Sequence, residues 1–170
     1  QGDILELEKL GRDRDFDVIE SVGVLHHMDD PLSGWKALVD TLRIGGLMKI
    51  GLYSNIARQH IMEARRQIAR KKYTTSTRDI RRYREEILNM DRQSDLEITK
   101  VLDSSDFYSL SACRDLLFHV QEHQFTLPQI EKALNDLGLE FLGFELKQSN
   151  VRSKFSKLYP EKDALSSLKL

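Results

Sequence analysis

Two adjacent histidines stand near the end of an apolar run in this sequence. The segment reads FDVIESVGVLHHMDD over residues 16 to 30 and contains His26 and His27. Because imidazole titrates near neutral pH, either histidine could act as a general base or orient a substrate. The alternative is a structural loop histidine that donates to a backbone carbonyl, and we favour that alternative for His27. What either ring can do depends on the elements that position it.

A strand, a helix and a second strand surround the two histidines in the predicted structure. The β-branched run from Phe16 to Leu25 predicts a strand that is covered on both faces, as in a parallel sheet. Apolar spacings of three and four predict a helix from Pro31 to Arg43, which Gly45 and Gly46 should end. The apolar run Leu47 to Tyr53 predicts the next strand. The core is therefore expected to be α/β.

The rest of the chain is expected to be largely helical. Charged, helix-favouring sequence from Ile56 to about Asp103 has Ser76 or Thr77 as a cap, and further helices are predicted at 111–122 and between Thr126 and Gly138. The alternating segment EFLGFEL, residues 140 to 146, predicts a third strand, and a last short helix is expected from Glu161.

The position of the histidines relative to the first strand suggests a ligand site. In an open parallel sheet, ligands bind outside the carboxyl ends of the strands, where loops and helix N-termini converge. Residues 21 to 28 lie at such an end. Polar groups at the tip of an apolar strand are what a ligand crevice requires, although position alone does not name the ligand.

The overall composition limits the classes of protein to consider. The chain has 170 residues, a formal net charge of -1 and one cysteine, Cys113. It is long enough for a globular domain with a real core, and a single cysteine cannot form an internal disulfide. The N-terminal residues lack a signal-peptide hydrophobic region, and no apolar stretch has membrane length. We therefore expect a soluble, cytoplasmic protein without membrane association.

Several motifs resemble one enzyme family. FDVIESVGVLHHMDDP, followed by a helix, RIGGL and the strand MKIGLYS, resembles the second half of class I methyltransferases that use S-adenosylmethionine. The match covers residues 16 to about 54, with the features in the family's order. The resemblance implies an incomplete Rossmann-like methyltransferase sheet with a largely helical insert, S-adenosylmethionine as cofactor and an unknown methyl acceptor.

The resemblance also implies roles for individual residues. GDILEL, residues 2 to 7, is similar to the end of the family's third strand, which places Asp3 and Ile4 in the cofactor site, with Asp3 accepting a hydrogen bond from the adenine amino group. The remaining assignments are cofactor contacts by Ser21, Val22 and Gly23, catalysis by His26 or His27, and substrate contacts by Tyr53, Asn55 and Arg58.

Parts of the family pattern are missing from this sequence. The glycine-rich cofactor loop and the acidic residue that holds the ribose hydroxyls should both lie upstream of Gln1, and only one strand is predicted after the helical insert. We therefore expect a fragment of an enzyme that is inactive by itself. The segment RDLLFHVQEH also resembles methyltransferase domains found behind tetratricopeptide repeats.

The predicted elements group into three parts. Residues 1–55 and 126–148 are expected to form the partial methyltransferase core, and residues 56–125 a helical insert or lid over the substrate. Residues 149–170 are expected to be a polar tail with a short helix.

One segment matches a metal-binding pattern. HVQEH, residues 119 to 123, has the H-x-x-E-H spacing of inverted zinc peptidases, and on a helix His119 and His123 would share a face with Asp115. So short a pattern arises by chance, and no third ligand in a helical context follows, so we predict no metal. We expect instead a polar patch on a lid helix that includes Arg114, Asp115 and Glu122, and we assign Arg114, His119 and His123 to substrate contacts.

A second reading of the chain comes from its basic helices. Ten basic residues lie between Arg58 and Arg84, against Glu63 and Asp79. This segment could bind a phosphate backbone, with Tyr73 and Tyr83 stacking on bases, so a non-catalytic module that contacts nucleic acid or a partner protein is the alternative function. We favour a solvated helix surface, because an acidic run follows it and no RNA-binding module accompanies the charge.

The first strand has a further expected property. If the family's first strand is missing, the backbone of residues 17 to 24 lacks a pairing partner along one edge. Exposed apolar edges recruit other chains, so we expect a dimer through this edge.

Overall fold

A computed structural model describes residues 2–10, 16–93, 95–118, 121–146, 149–160 and 168. The architecture is mixed α/β with short parallel strands. In chain order the strands and α-helices are β1 (Phe16–Val22), α1 (Pro31–Thr41), β2 (Leu42–Gly51), β3 (Tyr53–Ser54), α2 (Gln59–Arg70), α3 (Thr77–Leu88), α4 (Leu96–Thr99), α5 (Leu110–Phe118), β4 (Gln124–Phe125), α6 (Leu127–Asp136) and α7 (Ser149–Leu158). Short 3-10 helices cover Ile4–Leu10, Leu25–His27, Lys100–Asp103 and Ser105–Tyr108.

The predicted strand, helix and strand are confirmed, but β1 is not covered on both faces, since five of its seven residues are exposed. Strands β1 and β2 pair with each other, and β3 pairs with β4. The Lys49–Glu20 ion pair and the close approach of Gly51 to Val22 both join residues whose numbers differ by 29, as expected for a parallel register. Helix α1 begins at Pro31 as predicted and ends at Thr41, two residues before the expected end.

The double glycine lies inside strand β2 and not in a turn before it. Strand β2 begins at Leu42, directly after α1, and only Gly45 of the pair has a positive φ, of 75°. A Cβ on Gly46 would lie 3.0 Å from the carbonyl oxygen of Asp17, so close strand pairing explains this glycine. The expected helix stop was therefore wrong, because glycine also serves where two strand backbones approach closely.

Two other sequence expectations were wrong about the backbone, and a third was not tested. Residues 141–146 form no regular strand, because alternation makes a strand only where a partner strand is available to pair. The chain after Asp3 forms the 3-10 helix Ile4–Leu10 and does not end a strand. A C-terminal helix occupies Ser149–Leu158, before Glu161, and the place predicted for it lies outside the described residues.

The chain divides into two compact units. The first contains Gln1–Ile19, Leu32–Met48 and Phe125–Leu170, and the second contains Glu20–Pro31 and Lys49–Gln124. The boundaries predicted for core, insert and tail are different, and they stay a prediction. Among the described residues no helix combines the length and the apolarity needed to cross a membrane.

The first unit contains helix α6, whose ends follow local rules. Thr126 and Gln129 form a reciprocal capping box, and Gly138 has a φ of 67° just after the helix, both as the sequence predicts. Strand β1 begins in this unit with Phe16 and Val18 exposed; the Val18 side chain is 63% exposed. A dimer through this strand stays a prediction.

The second unit has a helical core. Tyr83 is fully buried between α2 and α5, and its hydroxyl donates to the carbonyl of Ala64 at 3.1 Å. Ser76 caps α3 by accepting from the N–H of Asp79, as predicted. The buried residues of this core are Ile61, Ala64, Ile68, Ile80, Tyr83, Ile87, Ile98, Val101, Leu102, Phe107, Cys113, Leu116, Leu117 and Phe118. The candidate site lies in the same unit as this core, and Arg65 on α2 connects the two by its bonds to the Leu116 carbonyl and to Glu122.

Candidate functional site

The site begins at the carboxyl end of strand β1. Ser21 is buried, and within the described part of the chain its hydroxyl has no hydrogen-bond partner. Gly23 has a φ of 79°, which is a left-handed conformation, and the space where a Cβ would stand is open. The Val22 side chain, by contrast, is 55% exposed. The strand therefore ends in an unpaired buried hydroxyl beside a turn that only glycine adopts without strain.

The turn is followed by a short 3-10 helix that buries one histidine. The N–H groups of His27 and Met28 donate to the carbonyls of Val24 and Leu25, which closes the helix. His26 is 2% exposed, and its ring lies 3.8 Å from the ring of Tyr53, centroid to centroid. The His27 ring is 4.3 Å away in an edge arrangement. Three rings thus meet just after β1.

The electrostatics of His26 favour the neutral imidazole. Burial lowers its pKa below the ordinary value of 6.5, and repulsion by His27 lowers it further. The backbone of Gly51 is near enough to raise the pKa slightly, but neither ring nitrogen makes a hydrogen bond of good geometry with the described residues. A buried, neutral and unpaired imidazole can accept a proton from, or donate a hydrogen bond to, a bound molecule.

The chain returns to the histidines at residues 121 to 124. The N–H of His123 donates to the carbonyl of His26 at 2.8 Å, and the Gln121 amide donates to the carbonyl of Met28 at 3.4 Å. The His27 Nδ1 atom lies 3.3 Å from the carbonyl of Gln121, which is the contact of a loop histidine in a structural role. The His123 Nε2 atom is buried, with no partner among the described residues.

A buried carboxylate stands next to this segment. The side chain of Glu122 is only 1% exposed and binds two arginines. Arg58 donates from Nε to one oxygen at 3.0 Å and from Nη2 to the other at 2.5 Å, and Arg65 Nη2 adds a bond at 2.9 Å. Gln124 supplies a fourth donor at 3.2 Å. The Arg58 guanidinium also lies 3.9 Å from the centre of the Tyr53 ring.

These donors keep Glu122 charged. Burial alone would raise the pKa of this carboxyl group, but hydrogen bonds from Arg58 and the charge of Arg65 outweigh burial, so the pKa lies below its ordinary value of 4.5. All four acceptor positions of a carboxylate are occupied by the four donors. Glu122 therefore has no acceptor position left, and its hydrogen bonds hold the Arg58 guanidinium against the Tyr53 ring.

The structure brings together some of the predicted site residues and separates others. Five of them meet in this site of the second unit: His26, His27, Tyr53, Arg58 and His123. Asn55 and Arg114 also belong to the second unit but are exposed. Asp3 and Ile4 belong to the first unit, where the Asp3 carboxylate accepts from the N–H of Leu5 at 2.9 Å.

The predicted lid helix with a histidine face was wrong. Helix α5 ends at Phe118, and residues 121–123 are not helical, so His123 shares no helix face with Asp115. His119 lies outside the described residues. No group of three or more His, Cys, Asp or Glu suited to a metal ion occurs in the described ranges.

Sequence reasoning missed the central role of Glu122 and Arg65. It assigned the basic helices to solvent and their counter-charges to the acidic run that follows. Glu86 in that run does pair with Lys71 and Arg82, but the partner of Arg58 and Arg65 lies 64 and 57 positions along the chain. No local signal marks a pair at that separation.

Comparison with curated proteins finds a partial similarity to a longer protein. No family model matches this chain. An uncharacterized protein of Synechococcus sp. is 28% identical, in an alignment that covers 76% of this chain and 32% of that protein. The chain thus spans about a third of the length of the curated relative that it matches. The printed description of that protein assigns it no activity.

Proposed function

We propose that this chain is the carboxyl-terminal part of a class I S-adenosylmethionine-dependent methyltransferase, with a Rossmann-like sheet and the methyl acceptor bound near His26. The observation that carries the proposal is a pair of buried polar groups at the carboxyl end of parallel strand β1, the hydroxyl of Ser21 within the strand and the imidazole of His26 after it. Neither group makes a hydrogen bond of good geometry with a described residue. Buried polar groups without partners are costly and rare, and in parallel sheets ligands bind at this end of the strands.

The residues at the end of β1 suit the cofactor that the motifs imply. The hydroxyl of Ser21 has hydrogen-bonding capacity to offer, and the open space at Gly23 lets a ligand approach the backbone closely. When bound, S-adenosylmethionine supplies an electrophilic methyl group. We assign Ser21 and Gly23 to the cofactor side of the site, whereas the positions of Asp3 and Ile4 add no support.

On the acceptor side, the proposed base is His26. Its depressed pKa leaves the ring neutral near pH 7, so it can take the proton that an acceptor O–H or N–H loses as it is methylated. The Tyr53 ring stacks on the His26 ring and holds it in place. Arg58, which is bound by Glu122, packs against the Tyr53 ring in turn. His27, which faces the Gln121 carbonyl, serves as a structural residue.

The test is cofactor binding by two proteins, this chain alone and a version extended upstream to include a glycine-rich loop. Calorimetric titration with S-adenosylmethionine should give a micromolar dissociation constant only for the extended protein. Ser21→Val in the extended protein should weaken binding about tenfold, the effect of one good hydrogen bond. Thr99→Val, which removes a buried hydroxyl bonded to Asp95, should leave binding unchanged. Equal affinity of Ser21→Val and the parent protein would refute the assignment.

The alternative, a module that binds nucleic acid, has less support. At least seven of the ten basic residues between Arg58 and Arg84 contact acidic side chains or carbonyls of the same chain. Charges already paired gain little from a phosphate. A gel-shift assay with generic RNA at about 0.15 M salt should therefore show no complex, and a complex with a steep salt dependence would favour the module.

A further inference from the structure

An open cavity of about 420 Å³ borders the helical core of the second unit. Its volume is within the range of small-molecule sites, which is roughly 300 to 1,000 Å³. Five of its ten lining residues are apolar, three are polar and two, Arg65 and Glu122, are charged. The lining residues are Met62, Arg65, Ile68, Ala69, Tyr73, Thr74, Thr75, Leu117, Phe118 and Glu122.

The charged end of the cavity offers donors and no acceptor. The Glu122 carboxylate already accepts four hydrogen bonds, two from Arg58 and one each from Arg65 and Gln124, so it has no position left for a ligand. Arg65 has spare donors, because only its Nη2 atom is bonded, to Glu122 and to the carbonyl of Leu116. Its Nε–H group is buried, and no described residue accepts from it.

The other polar residues at the mouth are largely engaged. Tyr73 donates to Glu86, and Thr74 donates to Asp79 at 2.6 Å. Of the two charged lining residues, Arg65 alone keeps hydrogen-bonding groups for a ligand, because the Glu122 carboxylate is already saturated. A ligand for this cavity therefore needs an anionic acceptor group at one end and an apolar body that fits the wall formed by Ile68, Leu117 and Phe118.

We propose that this cavity binds a small carboxylic acid with an apolar body, whose carboxylate accepts from Arg65. A carboxylate has two acceptor oxygens and matches the edge of a guanidinium, whereas a phosphate has no apolar part to fill the wall. The proposal does not depend on methyl transfer, so either proposal can fail without the other.

The test uses matched acids and amides. Calorimetric titration of the chain with hexanoate and with 3-phenylpropionate should give saturable binding, and hexanamide and 3-phenylpropionamide should bind at least about tenfold more weakly. Arg65→Gln should abolish the preference for the acid. Arg66→Gln, which removes an exposed arginine paired with Glu63 on the same helix, should leave it unchanged.

A second variant keeps the test decisive if Arg65→Gln does not fold. Ala69 is exposed and lines the cavity, so Ala69→Trp should block the entrance without disturbing the core. Arg70→Trp, at the next exposed position outside the lining, is the matched control. Equal binding of acid and amide, no binding up to about 10 mM, or full binding by Ala69→Trp would each overturn the proposal.

Discussion

The second unit contains two buried ionisable groups with opposite surroundings. The Glu122 side chain is 1% exposed and receives four hydrogen bonds. His26 is 2% exposed, and neither of its ring nitrogens has a hydrogen-bond partner in the described structure. One group has every acceptor position filled by the protein, whereas the ring nitrogens of the other have only a contact with the Gly51 backbone, which does not meet hydrogen-bond geometry.

This difference separates a structural group from one available for chemistry. A buried charge that is fully paired stabilises the positions of its partners, and it has nothing left to offer a ligand. A buried neutral imidazole without partners costs stability and is retained only where something else uses it. We therefore expect Glu122 to carry stability and His26 to carry function.

The sharpest test of this comparison removes the charge of Glu122. Glu122→Gln keeps the shape of the side chain but leaves Arg58 and Arg65 without a counter-charge, so the free energy of unfolding should fall by about 3 kcal/mol. Urea denaturation measures the change. Glu63→Gln, which breaks more exposed pairs with Arg66 and Arg70, should cost less than about 0.5 kcal/mol. If Glu122→Gln and Glu63→Gln lowered the free energy of unfolding equally, Glu122 would have no special structural role.

A smaller loss is expected when the fork of Arg58 is replaced. Arg58→Lys keeps the charge but cannot make two parallel bonds to Glu122 or cover the Tyr53 ring in the same way, so unfolding should become easier by about 1 to 2 kcal/mol. Chemical denaturation compares it with Arg66→Lys at an exposed ion pair, where little change is expected. If Arg58→Lys left the free energy of unfolding unchanged, the charge alone would be enough to hold residue 58 against Glu122.

The opposite side of the comparison is tested by His26→Leu. Removing an unpaired buried imidazole relieves a cost, and losing the ring contact with Tyr53 adds one, so the free energy of unfolding should change by less than about 1 kcal/mol. Methyl transfer by the extended protein should nevertheless be lost. A destabilisation above about 2 kcal/mol would show that the ring has a structural partner.

The smallest expected effect is the dependence of stability on pH. Burial holds the pKa values of His26 and His60 below 6.5, so the unfolded chain binds more protons in mildly acidic solution. Unfolding free energy should therefore fall as the pH drops from 6.5 toward the two folded-state pKa values. Below 4.5 the depressed pKa of Glu122 adds a second loss. NMR titration of His26 with a midpoint above 6.5 would contradict this sign.

Short-range features of the fold could be predicted from the sequence. The start of α1 at Pro31, the Ser76 cap of α3 and the Thr126 capping box all depend on residues within a turn of one another. The segment from 140 to 146 shows the limit, because its alternation was sufficient for a strand but no pairing partner made it one.

The candidate site could be predicted only in part. Sheet topology was enough to expect the two histidines at a ligand site, whereas Tyr53 was assigned to that site only by the family resemblance. The predicted helix could not be limited from the sequence, because apolar spacing continues past Phe118, whereas residues 121–123 are not helical in the structure. No sequence pattern predicted that every acceptor position of Glu122 is filled, or that His26 is buried without a well-formed hydrogen bond.

The sequence by itself determined the first strand, helix and strand, the caps of α3 and α6 and the placement of polar groups at the end of β1. These features follow from periodicity and from contacts over a few residues, which require no long loop to close. Only the tertiary structure decided which charges meet. Arg58 pairs with Glu122, which lies 64 positions further along the chain. The packing of whole helices brings the two side chains together and buries them, and burial decides whether a charged group holds its partners in place or stays in solvent.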